Sequence, residues 1–168
     1  GCAVRNCTIT AVGEDGVAGG IVGNAYYGTF EGQPGVYDCV VEDTVITGYA
    51  VAGGIAGKGV PTLINCSVKG GSVTATGEAA YIGDINSYTG GYAGGILGFI
   101  YNSQDCAILS CTADTVVTGY SAGGVAGYFY SRYGTATVQD CHSTGTVTGK
   151  YCAGGIIGMS FVNSVFVD

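Results

Sequence analysis

Charge is scarce in this 168-residue chain: Asp, Glu, Lys and Arg make up 10% of it, against roughly 25% in an ordinary domain. The five bases (Arg5, Lys58, Lys69, Arg132 and Lys150) are scattered, and twelve acids bring the net charge to −7. Without a basic cluster, phosphate neutralisation cannot drive nucleic-acid binding, and adhesion to anionic lipid is excluded on the same ground. Glycine interrupts every apolar run well short of the roughly 18 residues of a membrane span, so no membrane insertion is expected. Tryptophan is absent, and there are two prolines and one histidine, His142. No Cys-x-x-Cys pair occurs, and one His cannot complete a Cys2His2 site, which argues against structural zinc. There is no secretion signal and no initiating Met, so Gly1 reads as a cloning remnant or the start of an excised fragment.

What is present points one way. Hydrophobic residues at 47% exclude general disorder, because the apolar area is enough to offset the entropy of ordering. The length suits one domain with a real core. Thirty-three glycines, thirteen tyrosines and a wealth of Val, Ile and Thr, with few helix formers, argue for an all-β fold with tight turns.

One signature recurs five times: Ala-Gly-Gly, a β-branched residue, a small or apolar residue, then Gly, at Ala18–Gly23, Ala52–Gly57, Ala93–Gly98, Ala122–Gly127 and Ala153–Gly158. Each copy follows a polar residue and Cys (Asn6-Cys7, Asp38-Cys39, Asn65-Cys66, Ser110-Cys111, Asp140-Cys141) and a Val-rich strand. That strand ends in Thr-Gly at Thr47-Gly48, Thr76-Gly77, Thr118-Gly119 and Thr148-Gly149. An aromatic lies five residues beyond the β-branched position at Tyr26, Tyr101, Tyr130 and Phe161, with Val60 in its place once. Self-similarity at this period is the mark of a solenoid. The expectation is a single-domain, right-handed β-solenoid (β-helix) of about five coils with Gly-rich corners. Neighbouring strands would lie about 4.8 Å apart. Inside it, Cys7, Cys39, Cys66, Cys111 and Cys141 would form one ladder, and Ile21, Ile55, Ile96, Val125 and Ile156 another.

The units run over about 6–37, 38–64, 65–109, 110–139 and 140–162. From ladder Cys to motif Ala takes 11, 13, 27, 11 and 12 residues, and the excess in the third unit puts a protruding loop over Glu78–Gly91. Asn163-Ser164 stands where a sixth unit would open, so 163–168 reads as a partial unit and the chain as a fragment of a longer protein. An open terminal coil exposes core and strand edges, which invites either a cap or end-to-end self-association.

The tetrapeptides Gly20-Ile21-Val22-Gly23, Gly54-Ile55-Ala56-Gly57, Gly95-Ile96-Leu97-Gly98, Gly124-Val125-Ala126-Gly127 and Gly155-Ile156-Ile157-Gly158 resemble the GLUG motif. That repeat occurs in bacterial surface and secreted proteins, among them adhesin-like proteins and some immunoglobulin A peptidases. The family's second-position Leu is Ile or Val here throughout. The resemblance spans essentially the whole chain. It implies an extracellular or cell-surface bacterial repeat module, and it transfers no catalytic residue.

The reactive side chains give little on their own. Stacked Cβ vectors in register are poorly set for disulfides, so the ladder cysteines read as reduced, buried hydrophobes. Cys152 stands at the position of Val17, Val51, Tyr92 and Ser121, a packing position. Cys2 and Cys106 each precede a ladder Cys by five residues, and if they hold equivalent positions about three coils apart they are too distant to pair. His142 follows an inward Cys and should point outward. Asp43 and Asp114 are the conceivable carboxylate pair of a β-helix glycosidase, yet solvated turn acids are far commoner. Glu14-Asp15 and Glu42-Asp43 lack the pattern of a calcium loop. No cofactor, metal or catalytic site is expected, and the chain is read as a non-enzyme.

The tyrosines are the functional lead. Those after the motif, Tyr27, Tyr101, Tyr130 and Tyr133, lie near Arg132 and would line a turn able to meet a glycan or a protein. The competing reading sends every second ring into the core. The expected role is a scaffold or adhesion module that binds a host or cell-surface protein or glycan. The alternative is a carbohydrate-binding or accessory region of a larger secreted enzyme, a peptidase or a polysaccharide-active one.

Overall fold

The structure, a computed structural model, describes residues 1–25, 35–60, 62–78, 90–102 and 105–168. These are strands and turns with no helix, and all pairing between the strands is parallel. They form two curled sheets, one of eleven strands and one of eight, in a β-helix-like arrangement.

The chain visits the first sheet three times and the second twice before it returns to its starting column. In the first column Ala3, Val40, Ser67, Thr112 and His142 stand in register. The second aligns Thr10, Thr47, Thr74, Thr118 and Thr148. The third aligns Ala18, Ala52, Ala93, Ala122 and Ala153 without a break. Two bend residues then carry the chain to the second sheet, where Val22, Ala56, Leu97, Ala126 and Ile157 align. The last column holds Val36, Leu63, Ile108, Val138 and Val167.

Strand alternation sends one branched residue of each column inward. Ile55, Ile96 and Val125 are fully buried among Val41, Val68, Ile46, Val73, Leu63 and Ile108, and Ile21 and Ile156, in the outermost strands of the row, are partly covered. The three motif glycines answer to three different neighbours. A Cβ on the first (Gly19, Gly53, Gly94, Gly123, Gly154) would lie far inside 3.0 Å of the carbonyl oxygen three residues on in its own coil. On the second (Gly20, Gly54, Gly95, Gly124) it would strike the carbonyl of the equivalent glycine in the next coil. On the third (Gly57, Gly98, Gly127, Gly158) it would strike the preceding coil. Close backbone approach, and no positive φ, imposes glycine here.

Four expectations need correction. The first-coil member of the cysteine row is Cys2, because Ala3 pairs Val40 and so sets Cys2 beside Cys39, whereas Cys7 aligns with Thr44. The two corners are chemical look-alikes. Asn6 and Asp43 hold left-handed φ at one, just as Asp38, Asn65, Ser110 and Asp140 do at the other, a conformation Asn and Asp tolerate best among residues with a Cβ. At both corners the next side chain bonds the carbonyl two residues back: Cys39 to Tyr37, Cys7 to Arg5, Thr44 to Glu42. Second, Cys2 and Cys106 are not equivalent, since Cys106 pairs Ala136 on the other sheet. Third, Thr74-Ala75 and not Thr76-Gly77 continues the threonine row. Fourth, Ser164–Val167 pair Thr135–Val138 and so extend the second sheet, so 163–168 does not begin a new copy of the Cys-bearing strand.

Candidate functional site

Three of the aromatics five residues beyond the β-branched position, Tyr101, Tyr130 and Phe161, come together as one ladder, and Tyr26 lies outside the described residues. Tyr101 stacks on Tyr130 at 4.9 Å and 11°, and Tyr130 on Phe161 at 5.3 Å and 12°. Parallel in-register strands force this, since equivalent side chains repeat at the strand spacing. The middle ring is thereby sealed: Tyr130 is 4% exposed, against 41% for Tyr101 and 58% for Phe161. Tyr130 is therefore not a contact residue for a partner, and its buried hydroxyl has no hydrogen-bond partner. Of the other expected contact residues, Tyr27 lies outside the described residues, as do the side chains of Arg132 and Tyr133 on the strand Ala126–Gln139.

Two further aromatic groups went unpredicted. Tyr92, Phe99 and Tyr128 pack at the outer corner with ring centroids 5.0–5.4 Å apart, beside Val51 and Ala50. Burial pushes the Tyr92 and Tyr128 phenols up to about 12. Lys58 lies 5.5 Å over the Phe99 ring, and burial holds its ammonium below the usual lysine range. Tyr120 stacks on Tyr151 at 5.3 Å and 10°. Both stand two residues before a motif Ala, a spacing the sequence displays.

Stacking has a chemical consequence. A sugar binds an aromatic by laying its C–H face on the ring face, and rings within a ladder spend both faces on each other. Phe161 stacks on Tyr130 and Tyr151 on Tyr120, each through one face among the described residues.

All eight cysteines are free thiols. Within the row, each Sγ of Cys39, Cys66, Cys111 and Cys141 donates to the carbonyl two residues back at 3.3–3.4 Å. The Cys2 and Cys66 amides donate to the next sulfur along, Cys39 and Cys111. The contact of neighbouring thiols in the row holds Cys66 and Cys141 below the usual thiol range and Cys111 above it. Burial raises Cys106 to about 12. Among the described residues no group of three or more His, Cys, Asp or Glu is placed to hold a metal ion. His142 is exposed on the outer face. Asp43 sits at a left-handed corner and Asp114 in a strand, and both are exposed. No helix of the described residues is long and apolar enough to cross a membrane.

No protein-family profile matches the chain, and no curated protein does. Among solved structures it is similar to one described as a putative immunoglobulin A1 protease from Bacteroides ovatus, with a TM-score of 0.65 over 98% of this chain at 20% identity. The chain spans 47% of that protein's length. At this identity the likeness is one of fold: an all-β, parallel, β-helix-like body.

Proposed function

We propose that the chain is a non-catalytic, right-handed β-solenoid module of five coils, belonging to a secreted or surface-displayed bacterial protein, that acts as a scaffold presenting variable turns to a partner. The observation that carries this is the unbroken register of the Ala-Gly-Gly strands from Val17 to Gly154. It assigns the chain's most distinctive residues to coil packing. The GLUG-like tetrapeptides support an extracellular setting, and the sequence between them varies in length where turns lie.

A second reading makes the chain an accessory region of a larger secreted enzyme. The Bacteroides ovatus protein, about twice as long, favours it. A carbohydrate-binding surface along the ladder is less well supported, because the rings consume one another's faces. Incubation of the purified chain with immunoglobulin A1 tests the non-catalytic reading. Intact heavy chain after overnight incubation is the expected result, and cleavage above a buffer control overturns it.

A further inference from the structure

Outward rows are free to change from coil to coil, and on the first sheet one of them does. Arg5, Glu42, Lys69 and Asp114 stand in register and alternate in charge. The next strand along the coil behaves otherwise. Its outward rows are Thr10, Thr47, Thr74, Thr118 and Thr148, and beside them Thr8, Val45, Ser72, Val116 and Thr146. Every one of these side chains carries a hydroxyl except Val45 and Val116, and none is charged. Thr8, Thr10, Thr146 and Thr148 are exposed, and Thr47, Ser72, Thr74 and Thr118 are half-buried. Val45 and Val116 are 43% and 46% exposed. Between the two rows, Ile9, Ile46, Val73, Val117 and Val147 turn into the core.

Strand formation does not require threonine at these positions, since Val, Ile and Tyr suit an outward site as well. A face built to pack against another protein layer would be apolar, because each buried hydroxyl without a partner costs stability. Thr44 and Ser121, off this face, donate to the Glu42 and Gly127 carbonyls. Among the described residues no hydroxyl of the two rows bonds to the protein, so all of them face water.

The array is regular in two directions. Parallel strands repeat about 4.8 Å apart and outward residues about 6.6 Å apart along each strand, so the grid is about 19 Å long. β-Branched side chains have few χ1 choices, and copies in one environment take the same one, which sets hydroxyl beside hydroxyl and methyl beside methyl. Side-chain ladders are also a device that keeps a many-stranded sheet flat. With no charge the grid does not attract phosphate or carboxylate, and with no aromatic it gives a sugar nothing to stack on. The ligand that fits is uncharged, periodic in two directions and rich in hydrogen-bonding groups. The prism face of ice, whose oxygens recur at intervals of nearly this size along both axes, has those properties.

We propose that the threonine face, the row from Thr10 to Thr148 with its neighbour from Thr8 to Thr146, is an ice-binding surface. Its hydroxyls hold water oxygens at lattice positions, and its methyls order the water that bridges the two rows. That ordered layer merges with an advancing ice front. Only the register of these five strands is required, whichever partner the turns of the scaffold present.

Nanolitre osmometry of the purified chain on a single ice crystal tests it. The wild-type chain should facet the crystal and depress its freezing point below its melting point, by a gap that grows with protein concentration. Thr74→Lys puts a charged stem in the middle of the grid and should abolish the gap. Thr118→Tyr should do the same with a bulky ring, and circular dichroism shows which of the two variants keeps the fold. Asp114→Lys, on the neighbouring charged row, should leave the gap unchanged. A folded wild-type chain that gives no gap overturns the proposal. A gap that survives in a folded face variant, or disappears in folded Asp114→Lys, overturns it as well. Adsorption to microcrystalline cellulose or chitin without any effect on ice overturns it in favour of a polymer lattice.

Discussion

Gly54 and Gly155 hold the same place in the repeat, yet alanine should affect them oppositely. A Cβ on Gly54 would lie 2.7 Å from Val68 Cγ2 and closer still to the Gly95 carbonyl oxygen. The methyl of Val68 can shift a little. The carbonyl cannot, because it belongs to the backbone of the next coil. Overpacking of a closed core costs about 1–3 kcal/mol, and an obstacle made of backbone puts Gly54→Ala at the upper end, about 3 kcal/mol. That is roughly a hundredfold in the folding equilibrium, or about 1.5 M in urea midpoint for a slope near 2 kcal/mol/M. Gly155→Ala meets nothing, so the remaining effect is reduced freedom of the unfolded chain, a gain of about 0.4–1 kcal/mol. Urea unfolding of dilute protein, followed by circular dichroism, measures both. Equal losses would refute the reasoning, because local backbone preference and not the neighbouring coil would then decide the cost.

Two other outcomes follow from buried hydroxyls. Tyr130→Phe removes a hydroxyl with no partner and keeps the ladder, so it should stabilise the fold by about 1 kcal/mol and raise Tm by about 2–4 °C for a chain of this size; a lower Tm would mean that the hydroxyl is satisfied. Tyr92 and Tyr128 are raised by burial to about 12 from the usual 10, so the folded state binds protons that the unfolded state releases, and the stability they contribute is whole below pH 10 and falls as pH rises toward 12. Absorbance at 295 nm should show these two phenols ionising late and together with unfolding, and ionisation near pH 10 in the folded chain would contradict their burial.

The repeat was legible because its causes are local and periodic. Glycines demanded by backbone contact cannot drift, so the Ala-Gly-Gly strands are visible in the sequence and align in the structure. The cysteine row was misjudged at one end because Asn6-Cys7 and Asp38-Cys39 solve the same corner problem with the same chemistry. Spacing from Cys7 to Ala18 matched the other coils, and the insertion that shifts the true register, Val12–Gly16, lies where only the pairing of Ala11 with Gly48 and Val17 with Val51 reveals it. The aromatic row was visible as a spacing. That its middle member is sealed depends on the rings above and below, which no single unit contains.

The same logic limits where recognition can reside. A residue that recurs in register is held by its copies: Ile55 by Ile21 and Ile96, Tyr130 by Tyr101 and Phe161, Cys111 by Cys66 and Cys141. Its apolar surface and ring faces are spent inside the stack. Among the described residues, free chemistry survives where the repeat is interrupted laterally, as at Val12–Gly16 between the paired Ala11 and Val17. A lateral interruption differs from coil to coil and can select a partner of unlike structure.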